Sequence, residues 1–513
     1  MRQSHILMTN AAVVWACRAL LFVPQILLVP FLLSTVGAEG YGVYALILPL
    51  FLSLDQLHTS LQQGVVKHSA AYLAQGRMEE ASRVVSASFA FSLGLAVLAS
   101  LGVAAAALAG AGPSPVVRFG LWTTALLLLL ALPLNPYVAV VQSRQRYYAT
   151  AIADTGAQYA KLALVFLWFR FVAPSVEALL AISMGVVLAA RLAHWPLAHR
   201  YAPGLRGSLR LVDRRSFGLV LAFGGAAFFL CLCNVINGAG MRWLMGSLVS
   251  TRFVGHLAII LMPSVILSSI VLPATTAIMP AASGYDATGN SAMLRALLVR
   301  GTRYITLTVL AALLAAGLLL DELFTVWVGA EYSYLASYSF TVLASVGLQM
   351  TSAPAHHLLK GMGQIRRTVA IASAGKVVVP VALAVGLLIW LDDPYLAVSA
   401  GLVAGNSLAA LLTVGFAMSA VAVSGPDLLR AAFGEPLAAA FVSALVGWGV
   451  LVRFGLDGLV AQLAVAACVL LLFGLQVYVF YANAAERRQA LHILRTGLLH
   501  ARGSLNRNRA RTK

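Results

Sequence analysis

The chain has 513 residues, 61% of them hydrophobic and only 10% charged, with a mean hydropathy of +0.89 and a net charge of +18. A soluble domain carries roughly a quarter charged residues, so the composition excludes one. Apolar segments of about 20 residues, the length of a spanning helix, recur from end to end and exclude a β-barrel, whose strands run to about ten.

Fourteen spanning helices are predicted, over residues 10–33, 42–64, 84–108, 119–140, 150–170, 176–198, 217–238, 254–280, 304–320, 334–357, 368–391, 395–421, 436–452 and 459–481. The first is too long for a signal-peptide core and no cleavage site follows it. An even count puts both termini on one side. With that side cytoplasmic, 27 of the 35 lysines and arginines fall on inner segments and five on outer ones, the asymmetry expected of a multi-pass membrane protein with both termini in the cytoplasm. The positive charge is therefore a topology signal, reinforced by anionic inner-leaflet lipid, and gives no reason to expect nucleic acid as a partner. The basic end after Tyr481 reads as a membrane-surface tail.

Ionisable side chains at membrane depth are costly and default to functional candidates. Predicted helix 1 carries Arg18, about 12 Å into the bilayer at 1.5 Å per residue, with Pro24 and Pro30 beyond it as kink points. Helix 2 carries Asp55 at similar depth, with His58 three residues on and on the same face. Helices 1 and 2 are antiparallel neighbours, so Asp55 is the expected counter-ion of Arg18. The alternatives are an anion-binding Arg18 and a protonatable Asp55–His58 relay. Helix 5 carries Lys161, with Asp154 two turns below. Helix 7 presents the amides Asn234 and Asn237 in "CLCNVINGAG", whose simpler reading is interhelical hydrogen bonding. Helix 8 is interrupted by Pro263 and Pro273. The segment "LDELFTVWVGAEYS" after helix 9 has aromatics that read as interfacial anchors. His356 and His357 end helix 10 with no partner ligands nearby in sequence, so no metal site is expected there. Helix 11 carries Lys376. Cations outnumber acids inside the spans, and a cavity so lined attracts anions; lysine and arginine donate charge-assisted hydrogen bonds to phosphate. Cys17, Cys231, Cys233 and Cys468 all lie in apolar segments and read as packing residues. No phosphate-binding loop, nucleophile elbow or H-E-x-x-H motif is present, so no enzyme activity is expected.

Offsetting the chain by 213 residues matches Gly42 with Gly255, Ala45 with Ala258, and Tyr72, Ala74 and Gly76 with Tyr285, Ala287 and Gly289. Helices 1–6 and 7–12 thus read as two copies of one unit in the same orientation, the arrangement of parallel-repeat transporters. The expected organisation is an all-α polytopic membrane protein with one six-helix bundle over 1–203, a second over 204–425, two additional helices over 426–481, and a basic tail over 482–513.

The segments "LLSTVGAEGYGVYAL", "KHSAAYLAQGRMEEASRVV", "VGHLAIILMPSVILSSIVLPATTAIMPAASGY", "TVWVGAEY" and "LLKGMGQIRRTVAIA" resemble the multidrug/oligosaccharidyl-lipid/polysaccharide exporter superfamily, and within it the polysaccharide flippases of O-antigen type. The resemblance implies two six-helix bundles in a V around a central cavity. It implies export of an undecaprenyl-diphosphate-linked oligosaccharide to the outer leaflet by alternating access, in polysaccharide biosynthesis for the cell envelope. In that reading Arg18, Lys161 and Lys376 hold the diphosphate, with Asp55, His58, Asn234 and Asn237 lining the cavity. Asp55 and Asp154 are the candidates for proton or sodium coupling, and no cofactor or metal is implied. Expected partners are membrane lipids and the polymerase and assembly proteins of the polysaccharide. The alternatives are a cation-coupled multidrug exporter of the same fold, which needs acids facing cationic drugs, and a lipid II flippase. The fourteen-helix count resembles the lipid II branch, but the single arginine of helix 1 departs from that branch's arginine-rich pattern.

Overall fold

The computed structural model describes residues 13–481 apart from 15, 111, 113 and 457, together with residue 487. Apart from Arg487, the basic tail lies outside the described residues. Among the described residues the chain is helical throughout, with no strand, and eleven helices are long and apolar enough to cross a membrane. The chain is an all-helical, multi-pass membrane protein. In chain order the helices are α1 (residues 16–36), α2 (38–74), α3 (Met78–Leu108), α4 (Pro115–Ser143), α5 (Tyr147–Phe171), α6 (Val176–Tyr201), α7 (214–248), α8 (Thr251–Ala287), α9 (Ser291–Trp327), α10 (335–361), α11 (Ile365–Leu388), α12 (Pro394–Val421), α13 (Gly425–Phe454) and α14 (Leu459–Tyr481). They correspond one for one with the predicted spans.

Consecutive helices run antiparallel because the links are short and built for reversal. Gly37 separates α1 from α2 with φ 72° and ψ 175°, a region open essentially to glycine alone. Gly76 and Gly289, matched by the 213-residue offset, both take positive φ and end α2 and α8 alike. In each case the amide beyond the glycine bonds back to the matched tyrosine, Arg77 N to Tyr72 O and Asn290 N to Tyr285 O, the 6→1 bond of a Schellman ending. Ser114, Ser175, Asp213, Ser250 and Asp393 cap helix starts with their side-chain oxygens, each satisfying an otherwise orphaned amide. The links α2–α3, α4–α5, α6–α7, α8–α9 and α10–α11 lie at one end of the molecule, the basic end; the α1–α2, α7–α8 and α9–α10 links lie at the other, the far end.

The first six helices meet the second six along α1 and α2 on one side and α7 and α8 on the other. At the far end the matched pair Gly42 and Gly255 touch. A Cβ on Gly42 would overlap the Thr251 carbonyl, and one on Gly255 would lie 2.7 Å from the Ala38 carbonyl oxygen. The repeat thus meets itself at a seam that only glycine permits. The largest apolar core closes round this seam, from Leu32, Ile47 and Phe51 across to Met245, Ile259 and Phe324. Helices α13 and α14 pack on α9 through Ala439, Val465, Val469 and Phe473. Arg303 of α9 ties both down, pairing with Glu435 at 3.4 Å and donating to the Tyr481 carbonyl at 2.5 Å.

The prolines of α1 have a specific consequence. A proline has no N–H, so the carbonyl four residues before it loses its helical partner; Pro24 orphans Leu20 and Pro30 orphans Ile26. Tyr159 of α5 donates to the Leu20 carbonyl at 3.0 Å and Trp327 of α9 to the Ile26 carbonyl at 2.7 Å. Trp327, read from sequence as an interfacial anchor, therefore also serves as a donor to α1. Trp327→Phe removes the donor and leaves a carbonyl orphaned in an apolar setting, at a cost of about 1–3 kcal/mol. Adding Pro30→Ala restores the N–H, so the double variant should regain most of that loss. Thermal unfolding of the four chains in one detergent checks the cycle.

Candidate functional site

Two cavities are lined by lysines. The first, of about 430 Å³, lies among α7, α10, α11 and α12, and is lined by Asn234, His356, His357, Lys360 and Lys376, with Gln56 of α2 facing across from the first six helices. Among the described residues no carboxylate lines it. Its walls are shaped by two π-turns, residues 236–240 in α7 and 374–378 in α11. Such insertions re-aim side chains and recur at functional sites. Pro380 orphans the carbonyl of Lys376, and Asn237 Nδ2 donates to that carbonyl at 2.6 Å. The Lys376 ammonium in turn donates to Asn234 Oδ1 at 3.0 Å. Asn237 is thus occupied in holding α11 against α7, the interhelical role, while Asn234 steadies the lysine head. The His356 and His357 rings stand edge to face, 5.8 Å apart.

The second cavity, of about 280 Å³, lies among α1, α2, α5 and α6, with Met262 of α8 on its rim; Lys161 lines it with Gln25, Gln158, Tyr41, Tyr44 and Ser183. Among the described residues Lys161 has no carboxylate within ion-pair distance. Arg18 is exposed on α1 and shares a helical face with Leu21 and Gln25, both of which line this cavity. Leu48 and Leu52 of α2 line the second cavity and Gln56 the first. These three are spaced i, i+4, i+8, so one face of α2 runs past both. Lys161 and Lys376 therefore occupy neighbouring chambers rather than one.

Asp55 does not pair with Arg18, as the sequence suggested. It is buried, 4% exposed, and its two oxygens are taken by Arg191 of α6 at 2.7 Å and by Asn135 Nδ2 of α4 at 2.6 Å. Asn135 reaches it from a short 3₁₀ break at Leu132–Leu134, where Pro133 and Pro136 interrupt α4. Chain adjacency and similar depth made Arg18 the expected partner, but Arg191 lies about ten residues inside α6, at comparable depth. Asp154 faces His194 of α6, with Oδ1 3.7 Å from Nε2, rather than Lys161. His194 is fully buried and its two ring nitrogens lack hydrogen-bond partners among the described residues. His58 is also buried, with Nε2 unpartnered.

The structure thus gathers Asn234, Asn237 and Lys376 in one place and places Asp55 and His58 in the core of the first six helices. Sequence reasoning missed Lys360, Arg191, Asn135 and the cavity position of His356 and His357. A signal was present for the last set: in "HHLLK" the lysine follows the histidines at i+4 and i+3, one helical face.

No protein-family model matches the sequence, and no curated protein matches it. Solved structures do match it in fold. An inward-facing multidrug resistance MATE family transporter of the MOP superfamily superposes with a TM-score of 0.67 at 15% identity, covering 80% of this chain and 96% of that one. The outward-facing form of a MATE family transporter of the same superfamily gives 0.56 at 15% identity, over 82% and 96%. The lipid II flippase MurJ in an inward closed conformation gives 0.65 at 12% identity, over 92% of this chain and 99% of that one. What these proteins share with the chain is the fold, a helical architecture that accounts for nearly the whole length of each of those proteins.

Proposed function

We propose that the chain is a flippase that carries an undecaprenyl-diphosphate-linked oligosaccharide from the inner to the outer leaflet of a bacterial cytoplasmic membrane, moving the anionic headgroup by alternating access between two bundles, residues 1–203 and 204–425. The observation that carries this reading is the carboxylate-free cavity holding Lys360, Lys376, His356 and His357. A lysine without a charge partner at membrane depth, as Lys376 is, costs several kcal/mol unless a ligand repays it, and a diphosphate is the chemistry that does. Lys161 and Arg18 extend the same positive field along α1 and α5. The basic end faces the cytoplasm on this reading. The far end is shut by the Gly42–Gly255 contact, the state in which a substrate enters from the inside.

The fold neighbours also support two narrower alternatives. A cation-coupled multidrug exporter needs a free acid for its cationic cargo, and Asp55 is already neutralised by Arg191. A lipid II flippase shares the diphosphate chemistry, and the sugar decides between it and the first reading. Ion coupling is assigned to Asp154, whose carboxylate is half exposed beside buried His194.

The direct test is deletion of the chain's gene followed by analysis of lipid-linked intermediates. Accumulation of a diphosphate-linked oligosaccharide on the inner leaflet is the expected result. Unchanged intermediates together with drug sensitivity would favour the multidrug reading. On the purified full chain, inorganic pyrophosphate should bind, and Lys360→Gln should weaken it by about tenfold, the worth of one charge-assisted hydrogen bond.

A further inference from the structure

Arg242 is a cation that the sites above leave unused. It lies on α7 about 9 Å inside its far end, two residues past the π-turn at 236–240. Its face of α7 is turned toward α2, since Gly238 and Gly246, one turn to either side of it, lie against Ser53 and Leu46, and Tyr41 in the first turn of α2 lies within electrostatic reach. Its Nε is enclosed and has no hydrogen-bond partner, and among the described residues no carboxylate lies within ion-pair distance. Of the other cations set deep among these helices, Arg191 is paired with Asp55, and Lys376 and Lys161 belong to the two cavities already described. A guanidinium left unpaired at a seam between helices is expensive to keep, and arginine is the side chain whose fork matches a phosphate.

The α2–α7 contact beside Arg242 is also the part of the molecule that must part for the far end to open. Tyr41 is adjacent to Gly42, whose contact with Thr251 and Gly255 closes the seam. Tyr41 and Tyr44 line the Lys161 cavity on their other side. Separating α2 from α7 and α8 therefore exposes Arg242 to a ligand leaving that cavity.

We propose that Arg242 is a second anion site, closed in this conformation and opened at the far end, which takes the phosphate groups of the transported headgroup after they leave the lysine-lined cavities. The proposal rests on the flippase reading and adds to it a distinct release station with its own residue. Lys376 and Lys360 serve loading at the basic end; Arg242 serves release.

The test uses the purified full chain in phosphatidylcholine nanodiscs with inorganic pyrophosphate as the probe. Gly42→Leu cannot keep the seam closed, because its side chain would overlap the Thr251 carbonyl, and it therefore populates the opened far end. In that background Arg242→Gln should weaken pyrophosphate binding about tenfold, with Arg242→Lys retaining most of it. In the wild-type background Arg242→Gln should change the affinity less than twofold. Equal, small effects in both backgrounds overturn the proposal. Loss of the Arg242-dependent binding when phosphatidylglycerol is added to the disc also overturns it, since the residue then serves bulk lipid phosphate. Absence of pyrophosphate binding in every variant, wild type included, sinks the flippase reading instead. Where Gly42→Leu does not fold, the same split is read in cells carrying Arg242 variants in the otherwise unaltered chain. Export should fall at least about tenfold for Gln and for Leu and be restored by Lys, at unchanged resting affinity; full export by Arg242→Leu overturns the proposal.

Discussion

Asp55→Asn is expected to destabilise the chain by about 3–5 kcal/mol, the typical cost of removing one partner from a buried ion pair. The asparagine keeps an oxygen for the Asn135 amide but strands Arg191, which is only 20% exposed and whose Nε has no hydrogen-bond partner among the described residues. The double variant Asp55→Asn/Arg191→Gln removes the stranded charge and should recover most of the loss. Arg18→Ala should leave the unfolding midpoint unchanged, because Arg18 is exposed and is not the partner of Asp55. Thermal unfolding in a single detergent, with the fraction of monodisperse protein as a second readout, distinguishes these outcomes. Equal midpoints for Asp55→Asn and wild type would show that the pair does not hold α2 to α6.

Lys376→Gln is expected to reduce export at least about a hundredfold on the proposed function, while the protein still folds. The side chain stands in the carboxylate-free cavity and offers charge-assisted hydrogen bonds worth about 1.5–3 kcal/mol each. Folding is spared because the structural bond at this position belongs to the backbone. Asn237 donates to the Lys376 carbonyl that Pro380 orphans, and that contact survives any side-chain change. Asn237→Ala should do the reverse, lowering stability by about 1–3 kcal/mol with the ammonium still in place. Lipid-linked intermediates in complemented deletion cells, with protein abundance measured alongside, read both variants. Normal export by abundant Lys376→Gln protein would remove this lysine from the mechanism.

The helices were legible because hydrocarbon imposes length and polarity on every span, and fourteen apolar runs bounded by basic loops leave little freedom. The 213-residue repeat was legible too, and its two glycines carried more than symmetry, since Gly42 and Gly255 are the place where the copies touch. Pairings were not legible. Depth along the bilayer left Asp55 with more than one arginine at similar height, and the one chosen by chain proximity, Arg18, is less well placed than Arg191, 136 residues away. His356, His357 and Lys360 read as a helix end because nothing in the sequence shows that α11 and α12 close a chamber over them. Pro380 would have pointed to the Lys376 carbonyl, by the same rule that links Pro24 and Pro30 to the carbonyls of α1.

Those two carbonyls give α1 divided loyalties. One is fastened by a tyrosine from its own set of helices and the other by a tryptophan from the opposite set. A rocking motion that parts the sets near Trp327 must either tear the indole from the Ile26 oxygen or bend α1 between its prolines so that the lower stretch stays with Tyr159 and the upper follows Trp327. In the first case the bared oxygen adds to the activation barrier; in the second the helix behaves as a tether whose joint was cut in advance. Either way, on the proposed function, the pace of the cycle is written into a helix that forms no part of the lysine-lined chamber between α7 and α11.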